Sequence, residues 1–232
     1  MMSVNEPATS RFDFGRIAQR YDAWYETPRG AMYDRLERRV VGSLLPSACN
    51  GRTLLDVGCG TGHWSEYFAV RGYEVTGVDI SAETIAIARA KGIANGAFRV
   101  ADGTDLFFAD DSFDVAAAIT VLEFVADPEA VLLEMVRCTR KAGGMLLIGV
   151  LNRLSPYNCQ RAARPGSLYA SAHLFDPSEL RDLLAVYGEP TVFAAGFVPR
   201  RDSLVWLSPL LEGLGRLKGS EHGAFLAARV IL

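Results

Sequence analysis

Apolar positions along the chain fall into two kinds of stretch. Short, nearly continuous apolar blocks occur at 52–57 (RTLLDV), 73–80 (YEVTGVDI), 96–100 (GAFRV), 113–120 (FDVAAAIT) and 145–150 (MLLIGV), and their length and bounding turn residues predict strands. FDVAAAIT is uncharged after Asp114, as expected of a strand covered on both faces. Between these blocks the apolar residues recur every three or four positions, which predicts helices. One runs from about His63 to Val70. A second, SAETIAIARAKG, has Ser81 as its cap and Gly92 as its stop. A third, PEAVLLEMVRCTRKAGG, starts at Pro128 and is expected to end at Gly143 and Gly144. Strands alternating with helices in this way predict an α/β fold with a parallel sheet doubly wound by helices on both faces.

The pattern changes on either side of this core. Residues 12–26 and 29–45 read as two leader helices split by TPRG, where Pro28 and Gly30 punctuate the chain. After 151 comes a loop-rich stretch, then a helix capped by Asp176 with Pro177 in its first turn. Two more strands are expected at 190–198 and 223–232. Between them Leu204, Leu207, Leu211 and Leu214 share one helical face, expected to cover the sheet; an apolar substrate lid, a dimer surface or a membrane-surface contact are the alternatives. There is no internal repeat.

Composition narrows the function classes. Half of the 232 residues are hydrophobic and the formal net charge is −3, so a sizeable core can form and nothing favours nucleic acid as a partner. No apolar run approaches the ~20 residues of a membrane span. The first residues lack the layout of a signal peptide. We therefore expect a cytoplasmic protein with a flexible tail over 1–11 and a single domain over 12–232, divided into a leader (12–50), a core (51–150) and a closing segment (151–232). Cys49, Cys59, Cys138 and Cys159 show no CxxC spacing and only three histidines are present, so reduced thiols and no metal are expected.

The candidate chemistry starts at LLDVGCGTGHW, residues 54–64. A glycine loop after the first strand lies in the crevice where parallel sheets bind ligands. A dinucleotide site would have G-x-G-x-x-G/A, but His63 stands at the sixth position, which weighs against a nicotinamide oxidoreductase. Asp56 adds negative charge where a diphosphate would lie; it suits a ligand bearing a cation, unless it is only a solvated strand-end carboxylate.

The D-x-G-x-G-x-G run resembles the first motif of the class I S-adenosylmethionine-dependent methyltransferases. Asp79 in GVDIS resembles the acid that binds the ribose hydroxyls, Asp102 in ADGTDLFF is similar to the acid that meets the adenine amino group, and the segment 111–144 looks like that family's fourth strand, helix and glycine turn. The leader RIAQRYDAWYETPRG is similar to those of the small-molecule group that includes ubiquinone/menaquinone C-methyltransferases. The resemblance implies a seven-stranded, mostly parallel Rossmann-like sheet whose last strand is antiparallel, with substrate-cap insertions. It also implies S-adenosylmethionine as cofactor, S-adenosylhomocysteine as product, and Asp56, Gly58, Cys59, Gly60, Asp79, Ile80, Asp102, Gly103 and the leader's Tyr21 as cofactor-binding residues.

A sulfonium methyl is already activated, so transfer requires alignment and a dry site, and a protein base only if the acceptor must lose a proton. Glu123 in VLEFV is the acid nearest the methyl position that the resemblance implies, and His173 is a second candidate base. Each has a structural alternative, a salt bridge for Glu123 and a packing role for His173. Tyr21 and Tyr25 suggest a lid, or ordinary packing. Arg29 suits the methionine carboxylate, or solvent. Asn152, Tyr157, Asn158, Arg161, Arg164 and Tyr169 offer polar and aromatic groups to an acceptor, or to a solvated insertion. The expected function is methyl transfer to oxygen, carbon or nitrogen of a small, aromatic or lipid-like molecule, with a homodimer and a peripheral membrane contact left open. The alternatives are a non-catalytic cofactor-binding module, a protein or RNA methyltransferase, and the oxidoreductase. TVLE stands where N-methylating enzymes carry an asparagine-proline tetrapeptide, which argues against that kind of acceptor.

Overall fold

A computed structural model describes residues 18–46 and 50–232. Seven strands, β1 (Thr53–Val57), β2 (Glu74–Asp79), β3 (Gly96–Val100), β4 (Val115–Ile119), β5 (Met145–Leu151), β6 (Thr191–Ala195) and β7 (Phe225–Ile231), form one sheet in the order β3-β2-β1-β4-β5-β7-β6. The first five run parallel, and β7 lies antiparallel between β5 and β6. This is the sheet the resemblance implies, and it reverses its winding beside β1 and β4.

The described residues form eight α-helices around it: α1 (Ala18–Tyr25), α2 (Pro28–Leu44), α3 (His63–Val70), α4 (Ala82–Ala90), α5 (Pro128–Cys138), α6 (Pro156–Ala162), α7 (Pro177–Ala185) and α8 (Ser208–Leu217). Neighbouring residues of β1 serve opposite faces, as a strand's period of two requires. Leu54 packs with Val40, Val41, Trp64 and Phe68 of α2 and α3, while Leu55 packs with Val131, Leu132 and Met135 of α5 and Leu180 and Leu184 of α7. Each such leucine, fully buried, contributes on the order of 1.5–3 kcal/mol.

Several expectations need correction. Gly30, read as punctuation, lies inside α2: Thr27 caps that helix and Pro28 opens it. A Cβ at Gly30 would sit 1.9 Å from the Trp24 carbonyl oxygen, so glycine is what lets α1 close onto the first turn of α2. Helix α5 stops at Cys138 rather than at the glycines. Thr139 there turns extended, bonds its hydroxyl to the Met135 carbonyl, and pairs with Phe113 in a β-bridge.

The loop-rich stretch after 151 contains α6 and a 3-10 turn at Leu168–Ser171. It is clamped from below, since Asn152 donates to the carbonyls of Glu221 and Gly223, and Asn158 donates to those of Asn152 and Ala224. These two asparagines are buried fasteners and not acceptor-facing groups.

The leucine face does not cover the sheet. A 3-10 turn at Asp202–Leu207 leads into α8, and the side buried is Val205, Ser208, Glu212 and Gly215. The Glu212 carboxylate accepts from the Gly196 and Phe197 amides, and Gly215 lets the Phe197 ring approach. Satisfying two amides after β6 sets the rotation of the helix, and Leu204, Leu210, Leu211, Leu214 and Leu217 are left exposed. Among the described residues no helix is long and apolar enough to cross a membrane.

Candidate active site

The glycine loop leaves β1 at its carboxyl end. Gly58 and Gly60 both have positive φ, 69° and 53°. A Cβ at Gly58 would lie 2.4 Å from a Val121 methyl carbon, whereas one at Gly60 would meet nothing within 4 Å. The first glycine thus permits close packing and the second faces open space.

That space is a cavity lined by Asp56, Gly58, Cys59, Gly60, Asp79, Ile80, Asp102 and Gly103, so eight of the nine cofactor residues expected from the sequence share one wall. The side chain of the ninth, Tyr21, lies outside the described residues. Asp79 shapes the rim: one carboxylate oxygen accepts from the Gly60 amide at 2.9 Å, and the other accepts from the Ser81 amide and the Thr84 hydroxyl. Burial raises its pKa above the ordinary carboxylate value. Asp102 turns one oxygen back to the Thr104 amide and hydroxyl, at 2.9 and 2.8 Å, which leaves its other oxygen for a ligand.

Asp56 is not a solvated strand end. It is 1% exposed and accepts from the Ser65 hydroxyl, and burial pushes its pKa up to about 7. Cys59 is buried, donates its amide to the Val78 carbonyl, and has its thiol pKa raised by burial.

The facing wall belongs to the 111–144 segment, whose resemblance marks the strand and helix but not the individual lining residues. Ile119, Thr120, Val121, Phe124, Val125 and Val131 supply it. Thr120 has φ 55°, unusual for a β-branched residue, and its amide bonds the Gly149 carbonyl at 2.7 Å. For those residues the signal is position, the carboxyl end of the central strand β4.

The leader is tied onto the rim. Tyr25 stacks on His63 with ring centroids 3.7 Å apart, and His63 Nε2 lies 2.7 Å from Asp34 and 3.0 Å from Arg38. The Thr61 hydroxyl donates to Asp22, which also pairs with Lys91. His63, expected only to start a helix, is therefore a hinge post between α2, α3 and the end of α1.

The candidate bases lie outside the cavity wall. Glu123 is fully buried; one oxygen accepts from the Leu151 amide, the other has no partner, and burial pushes its pKa up to about 8. No salt bridge forms there among the described residues. His173 is half exposed and bonded to Glu179, with its amide donating to the Glu123 carbonyl. Arg29 donates its Nε to Asp202 and one terminal nitrogen to the Arg200 carbonyl, tying α2 to the turn before α8, while Nη1 is buried without a hydrogen-bond partner among the described residues.

Beyond Phe124 the leader and the cap converge. Tyr33 stacks on Tyr157 and Trp24, Tyr169 adjoins Phe124, and the Arg161 guanidinium lies 3.5 Å from the Tyr169 ring centroid. Glu37 of α2 is buried beside them, and burial pushes its pKa up to about 8.

Residues 55–148 match the methyltransferase domain family. The chain is 37% identical over 164 residues to a ubiquinone biosynthesis O-methyltransferase of Xanthomonas oryzae pv. oryzae, covering 66% of this chain and 67% of that protein. It is 28% identical to a malonyl-[acyl-carrier protein] O-methyltransferase of Erwinia billingiae, over 99% of this chain and 88% of the relative. It spans 59% of the length of an uncharacterised Mycobacterium tuberculosis relative that is 34% identical over 179 residues. A solved S-adenosylmethionine-dependent methyltransferase of Thermotoga maritima superposes with a TM-score of 0.73 at 26% identity, covering 94% of this chain and 97% of the other. The protein belongs to the S-adenosylmethionine-dependent methyltransferases, with S-adenosylmethionine as its cofactor.

Proposed function

We propose that this chain transfers the sulfonium methyl of S-adenosylmethionine to an oxygen atom of a small acceptor, and that the cavity between the glycine loop and the 119–125 wall is where it does so. The observation that carries the placement is the Asp79 carboxylate bonded to the Gly60 amide at the rim of open space. Such a carboxylate suits paired hydroxyls, and the free oxygen of Asp102 suits an exocyclic amine. Gly58, Gly60 and Gly103 let the backbone come close, and Ile80 and Val131 supply apolar cover.

When bound, S-adenosylmethionine supplies a methyl group ready for in-line displacement. The residues of the chain have the remaining tasks of alignment and exclusion of water. Phe124 and Val125 close one side, and the pins Tyr25–His63 and Asp22–Thr61 hold the leader over the other. Glu123 acts here as a positioning residue: its bond to the Leu151 amide fixes the wall to β5. Two of the relatives are O-methyltransferases by name, which supports oxygen as the acceptor atom.

Calorimetric titration with S-adenosylmethionine, S-adenosylhomocysteine and NADH tests the cofactor half. Binding of both adenosyl ligands and not NADH is expected; NADH alone would return the glycine loop to the oxidoreductase class. Release of S-adenosylhomocysteine with methylated oxygen in a metabolite pool tests the rest, and cofactor binding without turnover would leave a binding module.

A further inference from the structure

Two arginines of α2 have their carboxylates: Arg29 pairs with Asp202 at 2.7 Å, and Arg38 pairs with Asp34 at 2.7 Å. Arg161 differs. Its guanidinium is held by aromatic faces, 3.5 Å from the Tyr169 centroid, 5.1 Å from Tyr157 and 5.9 Å from Trp24. Among the described residues it makes no side-chain hydrogen bond and no ion pair. An arginine lying on aromatic rings keeps its in-plane N–H groups available, a fork that matches a carboxylate.

The acids nearby do not supply that partner. Glu37 and Glu123 are both buried, and desolvation holds the proton on each to about pH 8. The Arg161 guanidinium, half-buried and one ring away from cavity-lining Phe124, acts on Glu37 only through space, lowering the pKa that burial raises, and forms no ion pair with either acid among the described residues. A cationic amine would meet that charge head-on.

Resting on the methyl-transfer reading above, we propose that Arg161 is the acceptor-recognition residue, and that the acceptor is a planar, ring-bearing acid whose carboxylate it grips while Tyr157, Tyr169 and Trp24 cover the ring. The matched probes are 3,4-dihydroxybenzoate and 3,4-dihydroxybenzylamine, which share ring and hydroxyls and differ in the sign of their charge. Each is titrated into the protein loaded with S-adenosylhomocysteine and followed by tryptophan fluorescence. The acid should bind at least about tenfold more tightly than the amine, as the loss of a charge-assisted pair implies. Arg161→Gln should abolish the preference with unchanged affinity for S-adenosylhomocysteine and a melting temperature lowered by no more than about 4 °C, the loss of its contacts with the rings, and Arg161→Lys should restore part of the preference. Equal binding, preference for the amine, binding of neither probe, or a preference that survives in Arg161→Gln would each overturn the proposal. Failure of S-adenosylhomocysteine to bind would sink the cofactor reading instead. The acid and the amine are then compared on the ligand-free protein, where a preference for the acid that depends on Arg161 supports the proposal and any other result overturns it.

Discussion

The two halves of the site are built differently. On the cofactor side the shape comes from the backbone of one continuous stretch: glycines with positive φ, an acid at each of three successive strand ends, and amides turned onto the Asp79 carboxylate. On the proposed acceptor side no backbone motif is present among the described residues. Trp24, Tyr33, Glu37, Tyr157, Arg161 and Tyr169 come from separate segments of the leader and the cap and meet only through tertiary packing. A rim made of backbone tolerates few residue types, whereas a cluster of convergent side chains can be exchanged piece by piece.

The comparison breaks most readily at Gly58. Gly58→Val forces a branched side chain into φ 69° and into Val121. We expect a loss of about 3 kcal/mol in stability, typical of strained overpacking, together with lost cofactor binding. Urea unfolding and calorimetry measure both, and a wild-type midpoint would show that the loop is softer than described. Asp79→Ala should weaken S-adenosylmethionine binding by roughly 1–3 kcal/mol and also loosen the loop, because three donors lose their acceptor. Unchanged affinity would move the ribose site elsewhere.

On the acceptor side the effects should be smaller and tied to pH. Glu123 keeps its proton to about pH 8 in the fold, against an ordinary value of 4.5. Raising the pH through that window lets the unfolded chain ionise first, so stability should fall from about pH 5 to pH 8. Glu123→Gln removes its share of that loss. It should stabilise the protein at pH 8 relative to pH 5 by roughly 1–3 kcal/mol, with Glu37 and Asp56 still contributing to the remaining slope. An identical effect at both pH values would mean that Glu123 is ionised in the native state. The smallest effect is expected at the outward leucines. Leu210→Gln and Leu217→Gln, at 61% and 85% exposed, should shift stability by less than about 0.5 kcal/mol. A larger drop in calorimetric melting temperature would show that this face is covered in solution.

The same asymmetry decides what could be read from the sequence. Strand blocks and the spacing of Asp56, Asp79 and Asp102 lead to one wall of the cavity, because each acid sits at or just past the end of a strand whose position the apolar pattern already fixes. Gly30 and Gly143 misled, since a glycine marks either a break or a close approach, and only the neighbour decides which. The leucine face misled because helix rotation was set by Glu212, a charged residue that reads as solvent-exposed until the unpaired amides after β6 are known. Nothing local distinguishes Arg161 from Arg164; what separates them is Tyr169, which only the cap's 3-10 turn brings beneath the first.

The placement of β7 bears on synthesis. It comes after β6 in the chain, yet it lies inside the sheet between β5 and β6, and Arg229 on it bonds the Leu44 carbonyl at the end of α2, 185 residues away. Asn152 and Asn158, which fasten the cap, reach for carbonyls at 221–224, just ahead of that strand. On the ribosome, the stretch that forms the cofactor rim emerges early and has its sheet partners to hand. The cap that carries Arg161 waits for 221–224 and β7 to be translated before its fasteners can form, so the order of synthesis separates the glycine-loop cavity from the proposed acceptor side.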